Sequence, residues 1–300
     1  SYDPTVELYK TLNPKFEAYY KAKTGKNIKV QTDHGPSGKQ ARDIAAGKET
    51  DVAALSVDVD IDAIAKSGAL SNQWRKEFPN GSIPYYSAVV FLVRKGNPKN
   101  IKDWDDLARP DVVSVAPNPK TGGGARWIYL ATHALRKGQN EQQAKEFVGR
   151  IYDDAILDPA MRSSTVRFVQ QKEGDVLFGW ENEILQIVND PASKADYELV
   201  TPKDSIIIEV PIAVVDEYAR QHGVEDAAKA FVNYLYSDEG QRTVAEFYNR
   251  PSNPTIADEF KDKFAKVDLY KFTDYFKDWP TVMKTHFAEG GILDQVRRRR

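Results

Sequence analysis

Residues 112–127 read VVSVAPNPKTGGGARW, and this stretch combines the three features that decide the fold. Val112 to Ala116 is apolar and rich in β-branched residues, which predicts a buried strand. The strand leads into a turn with three successive glycines, and Ala125 to Arg136 then has the pattern of a helix. A strand, a tight turn and a helix in succession indicate the βα unit of an α/β protein.

The glycine turn is also a candidate site for an oxyanion. The first N–H groups of a helix have no partner within the helix and lie at the positive end of its dipole, so a small anion can bind there without a lysine. The turn has neither the Gly-Lys-Ser/Thr ending of a P-loop nor G-x-G-x-x-G spacing, and nucleotide binding has little support. A flexible loop at a helix start fits the same residues equally well.

Strand and helix patterns alternate along the rest of the chain. Asp3 is expected to cap a first helix, residues 27–31 form a predicted strand, and the turn at 34–40 opens a second helix. Pro211 within the strand pattern of 206–215 indicates an edge strand or a crossing between lobes. The segment from there to Gly291 is predicted to be helical. The alternation predicts α/β lobes with mainly parallel sheets.

Length, net charge and cysteine content exclude several classes of function. Three hundred residues suffice for two lobes, and a net charge of −2 argues against a nucleic-acid binder. The absence of cysteine excludes thiol catalysis and thiolate metal sites. No apolar run has the length of a membrane span and the first residues are no signal peptide, so an exported protein would be in its mature form. The run Arg297–Arg300 is interpreted as a solvated tail or an added tag.

The candidate catalytic groups are few. None of the four histidines stands in a metal-binding spacing, and Asp58, Asp60 and Asp62 lack the glycine and glutamate of a calcium loop. The sequence therefore predicts no metal, no cofactor and no enzyme. A hydrolase that uses Ser37 as nucleophile and His34 as base is kept as an alternative.

Seven motifs carry a resemblance over nearly the whole chain: SYDPT (1–5), HGPSGKQ (34–40), FLVRKGNPKNIKDWDDL (91–107), PNPKTGGGARW (117–127), GDVLFGWENE (174–183), YLYSDEGQ (234–241) and HFAEGGILDQ (286–295). With these motifs the chain resembles the periplasmic sulfate-binding proteins and the related thiosulfate binders, which deliver their ligand to a membrane ABC importer. The resemblance implies a type II periplasmic-binding-protein fold with a ligand cleft between two lobes. Residues 1–84 plus about 240–300 would form lobe I and about 85–240 lobe II, with the return crossing somewhere in 200–245. It also implies a monomer in the periplasm that binds sulfate or thiosulfate.

The resemblance further implies a pocket of neutral donors, carried over residue by residue: Asp3, Ser37, Gly122, Gly123, Gly124, Met161 and Trp180. Asp3 and Met161 would donate backbone N–H groups and Trp180 its indole N–H. His34, Arg126 and Arg162 would brace the binding loops without touching the anion. Sulfate at neutral pH only accepts hydrogen bonds, whereas phosphate keeps a proton that needs an acceptor, so such a pocket would favour sulfate.

Two positions and one whole strand depart from the family pattern. Gly122 stands where the family has serine, so one hydroxyl donor is missing, and Met161 stands where the family has a small alanine. The family's first strand, which precedes SYDPT, has no counterpart here, as in a truncated or redesigned chain. A redesigned scaffold that keeps the lobes but no longer binds an anion is therefore a further alternative.

Overall fold

The computed structural model describes residues 1–134 and 139–297, in which helices and strands alternate. In chain order the elements are α1 Val6–Thr24, α2 Ser37–Ala45, β1 Val52–Ala54, α3 Asp58–Ser67, α4 Pro79–Ser82, β2 Tyr85–Arg94, β3 Ser114–Pro117, α5 Gly123–His133, α6 Glu141–Tyr152, β4 Ile156–Asp158, α7 Met161–Val169, β5 Val176–Trp180, α8 Glu181–Asn189, β6 Tyr197–Val200, β7 Asp204–Glu209, β8 Ile212–Val214, α9 Asp216–Gln221, α10 Glu225–Leu235, α11 Asp238–Glu246, β9 Arg250–Pro251, α12 Pro254–Glu259, β10 Asp268–Tyr270, α13 Phe272–Tyr275, α14 Trp279–Val282 and α15 Ile292–Arg297. The predicted end of the helix at Arg136, and the terminal arginines beyond Arg297, lie outside the described residues.

The chain divides into two compact units. Unit 1 comprises Ser1–Ser87 and Glu209–Phe264, and unit 2 comprises Ala88–Ile208 and Ala265–Arg300. The chain thus passes between them after 87, 208 and 264. The return crossing at 208 falls within the range 200–245 expected from the sequence, whereas residues 265–300 group with unit 2 and not with the first lobe.

Aromatic packing explains why the last segment joins unit 2. The Trp127 ring of α5 lies edge-on to Phe272 and Trp279, with ring centroids 6.0 and 5.0 Å away. The helical prediction for this segment is wrong at 268–270, where β10 pairs in parallel with β7. Sequence spacing cannot show such a partner, because the pairing joins residues more than sixty positions apart.

Unit 2 is built on a sheet with the strand order β10-β7-β2-β5-β3-β4, and β6 also pairs with β2. Pairing is parallel for β3 with β4 and β5, but antiparallel for β2 with β5 and β6. The α/β class is thus observed, while the sheet is mixed and not mainly parallel. No α-helix lies between β2 and β3, so β2 lacks the crossover helix that usually joins two parallel strands.

Unit 1 has a small two-stranded sheet in which β1 and β8 are antiparallel. Ile44, Leu55, Ile61 and Trp74 are buried in the core beside this sheet. Residues 27–31, a strand in the sequence prediction, form no strand here. An extended segment becomes part of a sheet only when a neighbouring backbone pairs with it.

Candidate functional site

The glycine turn folds as a tight loop between β3 and α5. The backbone N–H groups of Thr121 and Gly122 both donate to the Asn118 carbonyl, each at 3.1 Å. Helix α5 then begins at Gly123, and no side chain caps it. The Gly122 N–H is therefore used within the turn. The amides of Gly123 and Gly124 open the helix and, by helix geometry, have no acceptor within it.

A second helix start lies at the same edge of the sheet. Strand β4 is the parallel neighbour of β3, and α7 follows it, beginning at Met161 without a side-chain cap. Two hydrogen bonds tie the loops together: Asn118 N–H donates to the Asp158 carbonyl at 2.7 Å, and Thr121 Oγ1 donates to the Pro159 carbonyl at 2.7 Å. The carboxyl ends of neighbouring parallel strands are where open α/β sheets bind ligands.

Met161 is expected to contribute only its backbone N–H group. Its side chain is buried, with 8% of its surface exposed, so the unit has room for the larger residue at this position. Helix α7 begins at Met161 with this side chain packed inside the unit.

Trp180 ends β5 and lies against the start of α5. Its indole Nε1–H donates to the Gly124 carbonyl at 3.1 Å. A Cβ added to Gly124 would lie 3.1 Å from Trp180 Cζ2, which is closer than nearly all natural Cβ contacts. Glycine at 124 is thus needed for the close approach of the indole ring. Unit 2 brings together the predicted donors Gly123, Gly124, Met161 and Trp180.

The predicted bracing arginines differ in their contacts. Arg126 Nε donates to the Pro119 carbonyl at 3.3 Å and so ties α5 to the turn that precedes it. Arg162 is exposed, and within the described residues no hydrogen bond from its guanidinium is seen. A bracing role for Arg162 therefore stays a prediction from the family resemblance alone.

Unit 1 brings together the other predicted residues. Asp3 lies in a 3-10 turn, and the Gly35 N–H donates to the Ser1 carbonyl at 3.0 Å, which joins this turn to the His34 loop. Helix α2 begins at Ser37 and has no side-chain cap. His34 lies beside Tyr9, with ring centroids 6.3 Å apart.

The Ser37 hydroxyl is already engaged. Its Oγ donates to Asp60 Oδ2 at 2.6 Å and accepts from the Ser56 N–H at 3.1 Å. A hydrolase would need this hydroxyl to donate to His34, so the arrangement does not supply the nucleophile–base contact of the alternative. Before Ser37 can donate to an anion, it must turn away from Asp60.

Asp60 is a functional candidate that the sequence did not reveal. It belongs to α3, is only 6% exposed, and lies 3.7 Å from where a Cβ on Gly38 would be. A buried carboxylate thus lies beside the start of α2. An aspartate in the first turn of a helix is usually a solvent-facing dipole partner, so its burial could be found only from the packing of α3 on α2. No cluster of three metal-ligating side chains occurs among the residues that the structure describes.

Comparison with known proteins identifies the class. Residues 5–248 match the family model described as bacterial extracellular solute-binding protein, and the chain belongs to this family. Within it, the chain is 44% identical over 303 residues to the sulfate-binding protein of Escherichia coli (strain K12), across 100% of this chain and 92% of that protein. It is also 44% identical to the thiosulfate-binding protein of Pseudomonas aeruginosa, across 99% of this chain and 90% of that protein.

Solved structures agree with this placement. The sulfate-binding protein SubI from Mycobacterium tuberculosis H37Rv has a TM-score of 0.83 and 33% identity, across 95% of this chain and 97% of that one. The resemblance read from the seven motifs and the α/β type II periplasmic-binding-protein fold class are therefore confirmed. No helix within residues 1–134 and 139–297 is long and apolar enough to cross a bilayer.

Proposed function

We propose that this protein binds sulfate, or a close relative such as thiosulfate, in the periplasm and delivers it to a membrane ABC importer. The observation that carries the proposal is the 44% identity to a sulfate-binding protein over the full length of the chain. The local geometry supports it, since two uncapped helix starts and an indole donor lie together at one sheet edge in unit 2. We propose the seven residues named above as ligand-binding residues, of which Ser37, Gly122 and Trp180 would have to exchange their present hydrogen-bond acceptors for the anion. We also propose a monomeric, non-catalytic protein.

Neutral donors explain how such a protein would select its ligand. Backbone amides and an indole N–H satisfy the oxygens of a dianion through charge-assisted hydrogen bonds. Phosphate carries a proton at neutral pH, and leaving that donor unpaired in a buried site costs about 1–3 kcal/mol. We therefore propose that sulfate binds roughly ten- to a hundredfold more tightly than phosphate at pH 7.

Calorimetric titration with sulfate, thiosulfate, molybdate and phosphate tests the function. We expect saturable binding of sulfate with one site per chain, and a rise in Tm when the ligand exceeds its Kd, because a ligand that binds only the folded state stabilises it. The proposal would be contradicted if the protein unfolds cooperatively but shows neither heat of binding nor a Tm shift at millimolar sulfate. The remaining interpretation would then be a scaffold that no longer binds an anion.

Two neighbouring glycines provide a matched pair of binding variants. A side chain at Gly122 would meet only ordinary contacts, with Ala125 Cβ at 3.6 Å and the Asn118 carbonyl at 3.8 Å. Gly122→Ser restores a hydroxyl at the helix start, and a hydrogen bond to a charged group contributes about 1.5–3 kcal/mol, so sulfate affinity is expected to rise about ten- to a hundredfold. In Gly124→Ala the new methyl group presses against the Trp180 ring. We expect weaker sulfate binding, since both the backbone N–H at 124 and the indole N–H of Trp180 would shift. Equal affinities by calorimetry would show that the turn does not touch the anion.

A further inference from the structure

The motif HFAEGGILDQ (286–295) contains none of the proposed ligand-binding residues, and it lies in unit 2 with the glycine turn. Its two glycines turn the chain sharply into α15. Gly290 has a φ of +73°, and a Cβ on Gly291 would lie 2.9 Å from the carbonyl oxygens of His286 and Ala288. A side chain at 290 would be strained and one at 291 would clash, so the glycines fix where α15 begins.

Asp294 of α15 joins this C-terminal turn to the glycine turn. Its Oδ2 accepts from the Gly290 N–H at 2.9 Å, as an acidic side chain in the first turn of a helix often does for a residue before it. Its Oδ1 lies 2.5 Å from the ammonium nitrogen of Lys120, in the loop between β3 and α5. The Asp294 side chain is 23% exposed and that of Lys120 35%, so water shields the ion pair only in part. Capping of α15 explains the first contact but not the second.

Lys120 is placed by the hydrogen bonds of the glycine turn itself. Its N–H donates to Asn118 Oδ1 at 2.9 Å, and the N–H groups of Thr121 and Gly122 close the loop on the Asn118 carbonyl. The contacts described above tie this loop to α7 and to α5. The ion pair ties it in a third direction, to α15.

The position of the loop matters because it leads directly into the proposed anion donors. Gly123 and Gly124 open α5 a few residues after Lys120, and only their backbone amides are available to an anion. Amides that are already directed at the ligand bind it more tightly than amides of a mobile loop, because ordering the loop on binding costs free energy. A contact that holds Lys120 therefore acts on the donors that follow it.

We propose that Asp294 is a positioning residue for the anion site, given the proposed function on which this assignment rests. It acts through Lys120 and keeps the glycine turn in the conformation that binds the anion. Asp294 also balances the charge of Lys120. The turn then presents neutral donors without a net charge, and sulfate affinity should depend little on ionic strength.

Calorimetry with sulfate on three variants of the full chain tests the proposal. Asp294→Asn keeps an oxygen for the Gly290 N–H but loses the charge that pairs with Lys120, Lys120→Gln removes the other partner, and the double variant removes both. In about 0.5 M sodium chloride, where charges interact only within roughly 4 Å, each should bind sulfate about three- to fivefold more weakly than the parent. The double variant should be no weaker than the single variants, because all three lose the same contact.

The charge effect separates the two single variants at low ionic strength. Asp294→Asn leaves an unpaired cation near the anion, whereas Lys120→Gln leaves an unpaired carboxylate. Sulfate should therefore bind more tightly to Asp294→Asn than to Lys120→Gln in dilute buffer, and this difference should vanish in about 0.5 M salt. A difference that persists at high salt would contradict the shared positioning role.

Two further variants serve as controls. Lys120→Arg should bind sulfate like the parent, because a guanidinium can still pair with Asp294. Lys145 Nζ lies 2.5 Å from Gln295 Oε1, so this lysine ties α6 to α15 without reaching the glycine turn. Lys145→Met should leave sulfate affinity unchanged. Parental affinity of Asp294→Asn at high salt, or an equal loss in Lys145→Met, would overturn the proposal.

Hydrogen exchange without sulfate separates this proposal from the proposed function. The Gly122 amide, which donates to the Asn118 carbonyl, should exchange about threefold faster or more in Asp294→Asn, because the turn opens more often. It should keep the parental rate in Lys120→Arg. A parent protein that binds no anion would refute the proposed function, whereas unchanged exchange at Gly122 would refute the role of Asp294.

Discussion

Gly240→Ala is expected to lower the free energy of unfolding by about 3 kcal/mol or more, because it forces an atom into occupied space. Gly240 lies in the first turn of α11, and a Cβ there would be 2.1 Å from the Tyr234 carbonyl oxygen and 3.0 Å from Leu235 Cα, both at the end of α10. Both of these atoms belong to the backbone, so the clash is relieved only by moving one helix away from the other.

The helix junction has little freedom to move. The Ser237 hydroxyl accepts from the Gly240 N–H at 3.1 Å and caps α11. Gln241 is fully buried, and its Nε2 donates to the carbonyls of Leu235 and Pro84. A shift of α11 would strain these bonds together, which is why the effect should exceed that of an ordinary surface substitution.

Urea denaturation at constant pH measures this effect, and Gly149→Ala is the matched control. Gly149 also lies within a helix, α6, but a Cβ there meets only Val296, at the ordinary distance of 3.7 Å. Alanine is favoured over glycine in a helix by about 1 kcal/mol, so the control should gain stability. A change of the same sign in both variants would show that helix propensity, and not the contact with α10, decides the outcome at Gly240.

Acid should destabilise the protein through two buried histidines of unit 2. The rings of His133 and His286 meet edge to face with centroids 4.4 Å apart, and Tyr129 packs against both. Burial, with a smaller effect of the neighbouring His286, lowers the pKa of His133 to about 3, and burial lowers the pKa of His286 to about 4. Both histidines are therefore neutral in the folded protein at pH values where they take up protons in the unfolded chain, because an unperturbed histidine has a pKa near 6.5.

The direction in which the unfolding free energy changes with pH follows from proton uptake by the unfolded chain. Because the unfolded state binds more protons below about pH 6.5, the unfolding free energy falls as the pH falls from there toward 4, by up to about 1.4 kcal/mol per pH unit for each histidine. Carboxylates with a lowered pKa, such as Asp33 beside Lys48, add to the loss only at lower pH. Chemical denaturation at a series of pH values between 4 and 8 gives the slope.

His133→Phe should reduce that slope by about one proton and keep the ring packing. The His133 Nδ1 has no hydrogen-bond partner among the described residues, so the phenyl ring loses no bond at that atom. His222→Gln is the control, since His222 is paired with Asp51 and Glu49, which raise its pKa. The stabilising contribution of protonated His222 is present below pH 6.5 and is lost as the pH rises. Removing this histidine should therefore not reduce the slope of the unfolding free energy in acid. An unchanged slope in His133→Phe would mean that other groups take up the protons.

The local elements around the site were predictable because short-range rules govern them. The apolar run at 112–116 and the glycines after it predict a strand and a helix start, and the structure has β3 followed by α5 at Gly123. The burial of Asp60 was not predictable, since it depends on α3 packing against α2. The contact between Trp180 and Gly124 joins residues 56 positions apart, and only the pairing of β5 with β3 brings them together.

The sequence by itself determined the α/β class and the helix starts that would hold an anion, because residue propensities and turn residues act over short distances along the chain. It also determined the family, because the family's motifs are contiguous stretches that can be recognised in the sequence. Tertiary structure alone decided that residues 265–300 join unit 2 through Trp127 and that the sheet there is mixed. It also decided that 27–31 forms no strand. The physical reason is that a strand, unlike a helix, finds its hydrogen-bond partners on another segment, and no local pattern shows which segment that is.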